Sequence, residues 1–142
     1  MLGRKAGRVF ELDEHLANDT VKVGDMPLSL LLLMKDARYP WAVLVPRRPG
    51  LVEFHDMTQA DRRNLTEEAA MVSAALQKLT GAAKMNIATL GNVVRQLHVH
   101  VVARREDDDA WPRPVWATGA TVPYAPGEAE ACAAALKAAL GI

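Results

Sequence analysis

From Gln96 to Val101 the chain alternates polar and apolar residues, Gln-Leu-His-Val-His-Val. A period of two is the period of a β-strand. Leu97, Val99 and Val101 therefore share one face, and Gln96, His98 and His100 share the other. Such a strand needs neighbours to pair with and an apolar layer beneath it, and the rest of the chain supplies both. Residues 25–46 read as a hairpin: Asp25-Met26-Pro27 opens it, Leu28 to Met34 is a strand-length apolar run, residues 35–40 turn, and Trp41 to Val45 returns. Pro46 and Pro49-Gly50 stop the second strand.

Residues 58–80 read as the main helix. Thr58 with Asp61 three residues on is a helix start with a weak capping box. Leu65, Ala69, Val72, Leu76 and Leu79 make one apolar face, Arg62, Arg63, Glu67, Glu68 and Lys78 are left for solvent, and Gly81 ends the helix. Two further strands are expected, Met85 to Leu90 and Val93 to Ala103, joined by a tight turn at Gly91-Asn92. Residues 104–126 read as an ordered loop. A last helix over about 127–140 buries Ala129, Cys132, Ala133, Leu136 and Leu140. Strands joined by short connections around a helix imply an α+β domain, an antiparallel sheet of about five strands with one long helix packed on it and a C-terminal helix. In that arrangement Leu97, Val99 and Val101 lie under the helix.

The 142 residues fit one domain spanning residues 1–142, with a core over about 25–116. Lys plus Arg and Asp plus Glu number 17 each, so no broad positive field points to nucleic acid or an anionic membrane. The longest apolar run, Leu30 to Met34, is too short to span a bilayer, and no apolar stretch of signal-peptide length follows the basic start. The single cysteine, Cys132, has no internal partner, which suits a reducing compartment; a cytoplasmic location is expected.

Two histidines and a glutamine on one open strand face admit three readings. The first is a solvated sheet face without chemistry. The second is a metal site, but a tetrahedral site wants at least three protein ligands, and His15 and His55 lie in unrelated segments. The third is nucleophilic catalysis at phosphorus, which needs a neutral imidazole with one nitrogen held as a donor and the other free to attack. It also needs donors nearby for the charge on the phosphate oxygens, and Gln96, His100 and the turn at Gly91-Asn92 are placed for that. Spacing alone does not separate the three.

The stretch Asn86 to Arg104, with its Gly91-Asn92 and its Gln96-Leu97-His98-Val99-His100-Val101-Val102, resembles the signature of the histidine-triad (HIT) hydrolases and transferases. The segment Tyr39 to Arg47 is similar to the family's other recurrent segment, and Trp111 to Trp116 resembles a loop of a bacterial branch of HIT proteins that is similar to diadenosine polyphosphate hydrolases. The resemblance implies that His98, at the middle position, attacks the α-phosphorus of a nucleotide to give a nucleotidyl-histidine, later released to water or another acceptor. It implies that His100 donates to the phosphate or leaving group, that Asn86 and Asn92 lie around the phosphates, and that Asp36 holds a ribose hydroxyl. Dinucleoside polyphosphates or nucleoside phosphoramidates are the implied substrates, with no cofactor or metal required for the covalent step. A homodimer is the implied assembly.

Two departures stand out. The first triad position is Gln96, and Pro49 stands near where the family often has another histidine. The resemblance also implies that the backbone carbonyl of residue 96 holds the nucleophile's second ring nitrogen, and any side chain leaves that carbonyl in place. A nucleotide-binding module with little turnover is the alternative that Gln96 motivates. Among lesser signals, Arg47-Arg48 and the acidic run Glu106 to Asp109 read as solvated, and Arg95 as pointing away from His98. Trp41, Trp111 and Trp116 read as closing the core or a dimer contact, Cys132 as buried packing, and His15 and His55 carry no argument.

Overall fold

The computed structural model describes residues 9–142. The element order is α1 (Glu14–Asp19), β1 (Thr20–Asp25), β2 (Ser29–Met34), β3 (Trp41–Pro46), a 3-10 turn (Phe54–Asp56), α2 (Gln59–Thr80), β4 (Lys84–Ala88), β5 (Val99–Arg104) and α3 (Glu128–Leu140). The strands form one five-stranded sheet in the order β1-β2-β3-β5-β4, antiparallel throughout. This is the expected α+β fold. The hairpin pairs Leu31 with Leu44 and Leu33 with Ala42. The remaining strand is β1, an edge strand whose register slips between Lys22 and Gly24.

Both longer helices lie on one face of the sheet. Leu65, Val72 and Leu76 of α2 are buried with Leu31, Leu33, Leu44, Leu97, Val99 and Val101, and Ala133 and Leu136 of α3 extend this layer. Burial of each large apolar side chain is worth roughly 1.5–3 kcal/mol. Leu97, Val99 and Val101 thus lie under the helices, as the alternation predicts. The opposite face is covered by α1 and irregular chain: Leu32, Tyr39, Trp41, Val43, Val45 and Val102 pack against Leu16, Ala110 and Val115. Consequently β3 and β5 are buried along their whole lengths.

Several expectations need correction. Thr58 does accept from the Asp61 N–H, and Gly81 closes α2 in the left-handed conformation. The Asp61 carboxylate, however, is taken by Arg48 through two nitrogens, 2.9 and 3.1 Å away. Glu68 is not solvated but 4% exposed, because its Oε2 accepts from the Leu28 N–H at the start of β2 (2.7 Å). Leu79, expected on the apolar face, is 47% exposed. Cys132 is exposed rather than buried. Arg47 is anchored on the Met26 and Leu28 carbonyls and on Asp25.

The acidic run is likewise not all solvated. Asp108 is enclosed with Arg104, which reaches both its oxygens at 2.8 and 3.0 Å, and the two side chains are 3% and 1% exposed. Removing one partner of such a pair strands the other charge in the interior. Asp108→Ala is therefore expected to lose about 3–5 kcal/mol of stability, read as a lowered urea midpoint. Replacing Arg104 with Met in the same chain should restore part of the loss.

Candidate functional site

The Gly91-Asn92 turn is not a two-residue hairpin. Strand β4 ends at Ala88 and β5 begins at Val99, so residues 89–98 make a longer connection. It is pinned at both ends: Thr89 Oγ1 donates to the His98 carbonyl (2.9 Å), and the Leu97 N–H donates to the Leu51 carbonyl (3.0 Å). The second bond draws the connection against residues 52–55, and between them opens a cleft of ≈ 450 Å³. That size suits a small ligand. His98, Asn92 and Gln96 line it, together with Gly91, Phe54, His55 and Arg95.

His98 sits at the floor of this cleft and is itself buried. Its Nδ1 lies 2.6 Å from the Gln96 carbonyl oxygen. A carbonyl only accepts, so Nδ1 carries the proton and, in the neutral ring, Nε2 keeps its lone pair. This is the arrangement a nucleophilic imidazole requires.

His100 lies beside it, ring centroids 4.8 Å apart, buried next to the cleft and not part of its lining. Here the polarity is reversed. The indole Nε1–H of Trp41 donates to His100 Nδ1 (2.9 Å), so the ring proton belongs on Nε2. Trp116 stands edge-on to His100 with centroids 5.0 Å apart. Burial pushes the His100 imidazole down to about 4; repulsion from His98 adds to this, and the Leu90 backbone acts the other way. His100 is therefore a neutral group at ordinary pH, set against one nitrogen donor and one aromatic wall.

The other predicted site residues are dispersed. Gln96 turns its side chain toward the N-terminal segment, its amide accepting from the Asp13 N–H (2.9 Å) and donating to the Glu11 carbonyl (2.8 Å). Asn86 pairs with Val102 across β4 and β5, and its Oδ1 accepts from Arg104 (2.9 Å). Asn86 does not line the cleft. Asp36 is also outside it, fully enclosed, its carboxylate bound by Arg38 and the Val122 N–H. Those hydrogen bonds hold it below the usual carboxylate range against the opposing effect of burial.

The sequence reading missed Arg95, His55 and Phe54 as cleft residues. Arg95 shares the cleft with His98, contrary to the strand alternation, because residue 95 precedes β5 and the alternation does not reach it. Trp41 and Trp116 do close a core, as expected, and both also contact His100, whereas Trp111 stacks against the Arg104 guanidinium. Among the described residues no group of three or more His, Cys, Asp or Glu is gathered as a metal site. No helix is long and apolar enough to cross a membrane, again among the described residues.

The family model for the HIT domain matches residues 15–107, well over half the chain. The chain belongs to the HIT family. Its structure is similar to a histidine triad protein of Bradyrhizobium japonicum, at 44% identity and TM-score 0.90, covering 94% of this chain and 99% of that one. A HIT protein of Sinorhizobium meliloti is 47% identical, with TM-score 0.87 and coverage of 89% and 94%. A histidine triad protein of Marinobacter aquaeolei is 40% identical, with TM-score 0.91 and coverage of 94% and 98%. No curated protein matches the chain.

Two predictions follow from the geometry. A Cβ added at Gly91 would fall 2.6 Å from the Val94 carbonyl oxygen and 3.7 Å from the His98 ring. Because the obstacle is backbone, Gly91→Ala should distort the connection and cost about 1–3 kcal/mol, seen as a lower melting temperature with shifted resonances at His98. The second concerns acid. A histidine titrating at about 4 when folded and 6.5 when free leaves stability intact above 6.5. It lowers stability as pH falls from there toward 4, by about 3 kcal/mol in full. The urea midpoint of wild type should drop across that interval more steeply than that of His100→Asn.

Proposed function

We propose that this HIT protein is a nucleotide hydrolase or nucleotidyltransferase in which His98 forms a covalent intermediate. The observation that carries this reading is the 2.6 Å contact of His98 Nδ1 with the Gln96 carbonyl, in a ring that lines the cleft. It commits one nitrogen to protein and leaves the other for a ligand. In the first step the Nε2 lone pair bonds to the α-phosphorus, while the bond from phosphorus to the leaving oxygen or nitrogen breaks. The leaving group takes that electron pair and a proton from solvent. The ring, now cationic, keeps its Nδ1–H on the carbonyl, which disperses the charge. Water then attacks phosphorus, the bond to Nε2 breaks, and the imidazole recovers its lone pair as a proton passes to solvent.

Dinucleoside polyphosphates and nucleoside phosphoramidates fit this chemistry, each having a leaving group on the α-phosphate. Arg95, His55 and Asn92 on the cleft wall supply charge and donors for a polyphosphate chain, so the first class is preferred. In this reading Gln96 takes part through its carbonyl and by shaping the cleft, and His100 donates to the phosphate. Asn86 and Asp36 would reach a nucleotide only by giving up Arg104 and Arg38, and we leave them out of the binding set. The reading places the protein in the cytoplasm as a homodimer, an assembly for which the β4 edge of the sheet, with Ile87 half exposed, is available.

The test is direct. Wild type incubated with a dinucleoside polyphosphate should release nucleotides, and rapid quenching should reveal one added nucleotidyl mass on the peptide carrying His98. His98→Ala should lose both, with activity reduced at least about a thousandfold, whereas Gln96→Ala should still form the adduct. Tight nucleotide binding by wild type with neither turnover nor adduct, on both substrate classes, would instead establish a binding module.

A further inference from the structure

The proposed reaction uses His98 Nε2 and a donor beside it; what fixes that donor is a separate matter. Strand β3 lies antiparallel to β5 with Trp41 opposite Val102, so the indole and the His100 ring are diagonal neighbours on one sheet face, within reach of a long side chain. Trp41 is buried and gripped edge-on by Tyr39 (6.4 Å) and Trp116 (6.0 Å). Its N–H is aimed at His100 Nδ1. At the other end of the ring, His100 Nε2 is buried and makes no hydrogen bond, although the Leu90 backbone lies near enough to the ring to favour its charged form. A polar hydrogen left unpaired inside a protein calls for an explanation, and a group awaiting a ligand is one.

We propose that Trp41 is a positioning residue that locks His100 in its Nε2–H tautomer, making His100 a permanent hydrogen-bond donor and not a proton shuttle. This rests on the phosphate chemistry proposed above. The reasoning is one of donor inventory. An indole N–H donates and never accepts, so it can neither receive a proton from Nδ1 nor replace one lost from Nε2. If Nε2 gave up its proton, the ring would become an anion with no means of recharging. His100 can therefore stabilise negative charge on a phosphate oxygen or a departing group, while the proton that neutralises the leaving group comes from solvent. The lock also relieves the ligand of selecting a tautomer, since a ring divided between two forms reacts in proportion to the competent fraction.

The experiment is nitrogen-15 correlation spectroscopy of the histidine rings, with kinetics alongside. In wild type His100 should show a protonated Nε2 and an acceptor Nδ1, with a scalar coupling across the hydrogen bond to the Trp41 indole nitrogen. In Trp41→Phe, which keeps an aromatic ring in the core, His100 should lose the single-tautomer pattern. Single-turnover formation of the His98 adduct should slow about two- to tenfold, with nucleotide affinity little changed. A wild-type His100 protonated at Nδ1, absence of the coupling, or an unchanged Nε2–H pattern in Trp41→Phe would each overturn the proposal. The wild-type coupling decides the matter if the variant does not fold. Should no adduct form at His98 with any nucleotide, the functional reading fails while the spectra still judge the tautomer.

Discussion

Strand β5 is covered on both faces, and most of the chemistry in this protein follows from that constraint. A polar side chain in such a strand cannot turn to water and must find its partners inside. Its helix-facing residues, Val99, Val101 and Ala103, are apolar and belong to the main core. His100 and Arg104 on the opposite face are buried, as is His98 just before the strand. Each meets a particular group: His98 Nδ1 a carbonyl two residues back, His100 Nδ1 an indole on the neighbouring strand, Arg104 a carboxylate and an amide. The result is a row of fixed polar groups on a rigid support, open at one end where the chain leaves the sheet at Val99. Precision of this kind is what a reaction at phosphorus asks of its scaffold.

The elements that announced themselves in sequence were those with a clean period or a definite stop. The hairpin strands, α2 with Thr58 and Gly81 at its ends, and the alternation around His98 belong here. What escaped was decided by distant partners. Glu68 looks like a solvent residue on its helix, and only the start of β2, where the Leu28 N–H has no strand partner, gives it a buried role. Arg48 and Asp61 are separated by a turn and a helix start, so nothing local advertises their pairing. Strand β1 is a short edge strand with a glycine at its irregularity, and six residues of that composition carry little signal. In the site, His98 and His100 were legible from alternation, yet the cleft beside them was not. It depends on residues 89–98 leaving the sheet, a consequence of the Leu97 contact with Leu51 that no spacing rule encodes.

The two imidazoles show how one residue type is given two roles. At 4.8 Å between centroids, two charged rings would repel strongly in a poorly solvated setting. Burial holds His100 neutral at ordinary pH. Its neighbours then fix opposite hydrogen patterns: a carbonyl demands a hydrogen on His98 Nδ1, and an indole forbids one on His100 Nδ1. One ring thus offers a lone pair and the other a hydrogen. In the proposed reaction a phosphate would meet a lone pair and a hydrogen already oriented, so little reorganisation would have to accompany it.

The glutamine at position 96 is best understood by separating backbone from side chain. Its carbonyl performs the service that His98 depends on, and a carbonyl is common to all residues, so the constraint at this position lies in the path of the chain. The side chain is thereby released for other work. Here it bridges the backbone at Glu11 and Asp13, tying down the chain just ahead of α1, whose Leu16 packs with Trp41 and Val43 in the core on that face. A histidine could not form the same pair of bonds, because a primary amide presents a donor and an acceptor side by side, matching the carbonyl and N–H of an extended chain. The amide at position 96 therefore clasps the N-terminal segment, while the group that holds His98 Nδ1 belongs to the backbone and is independent of the side chain.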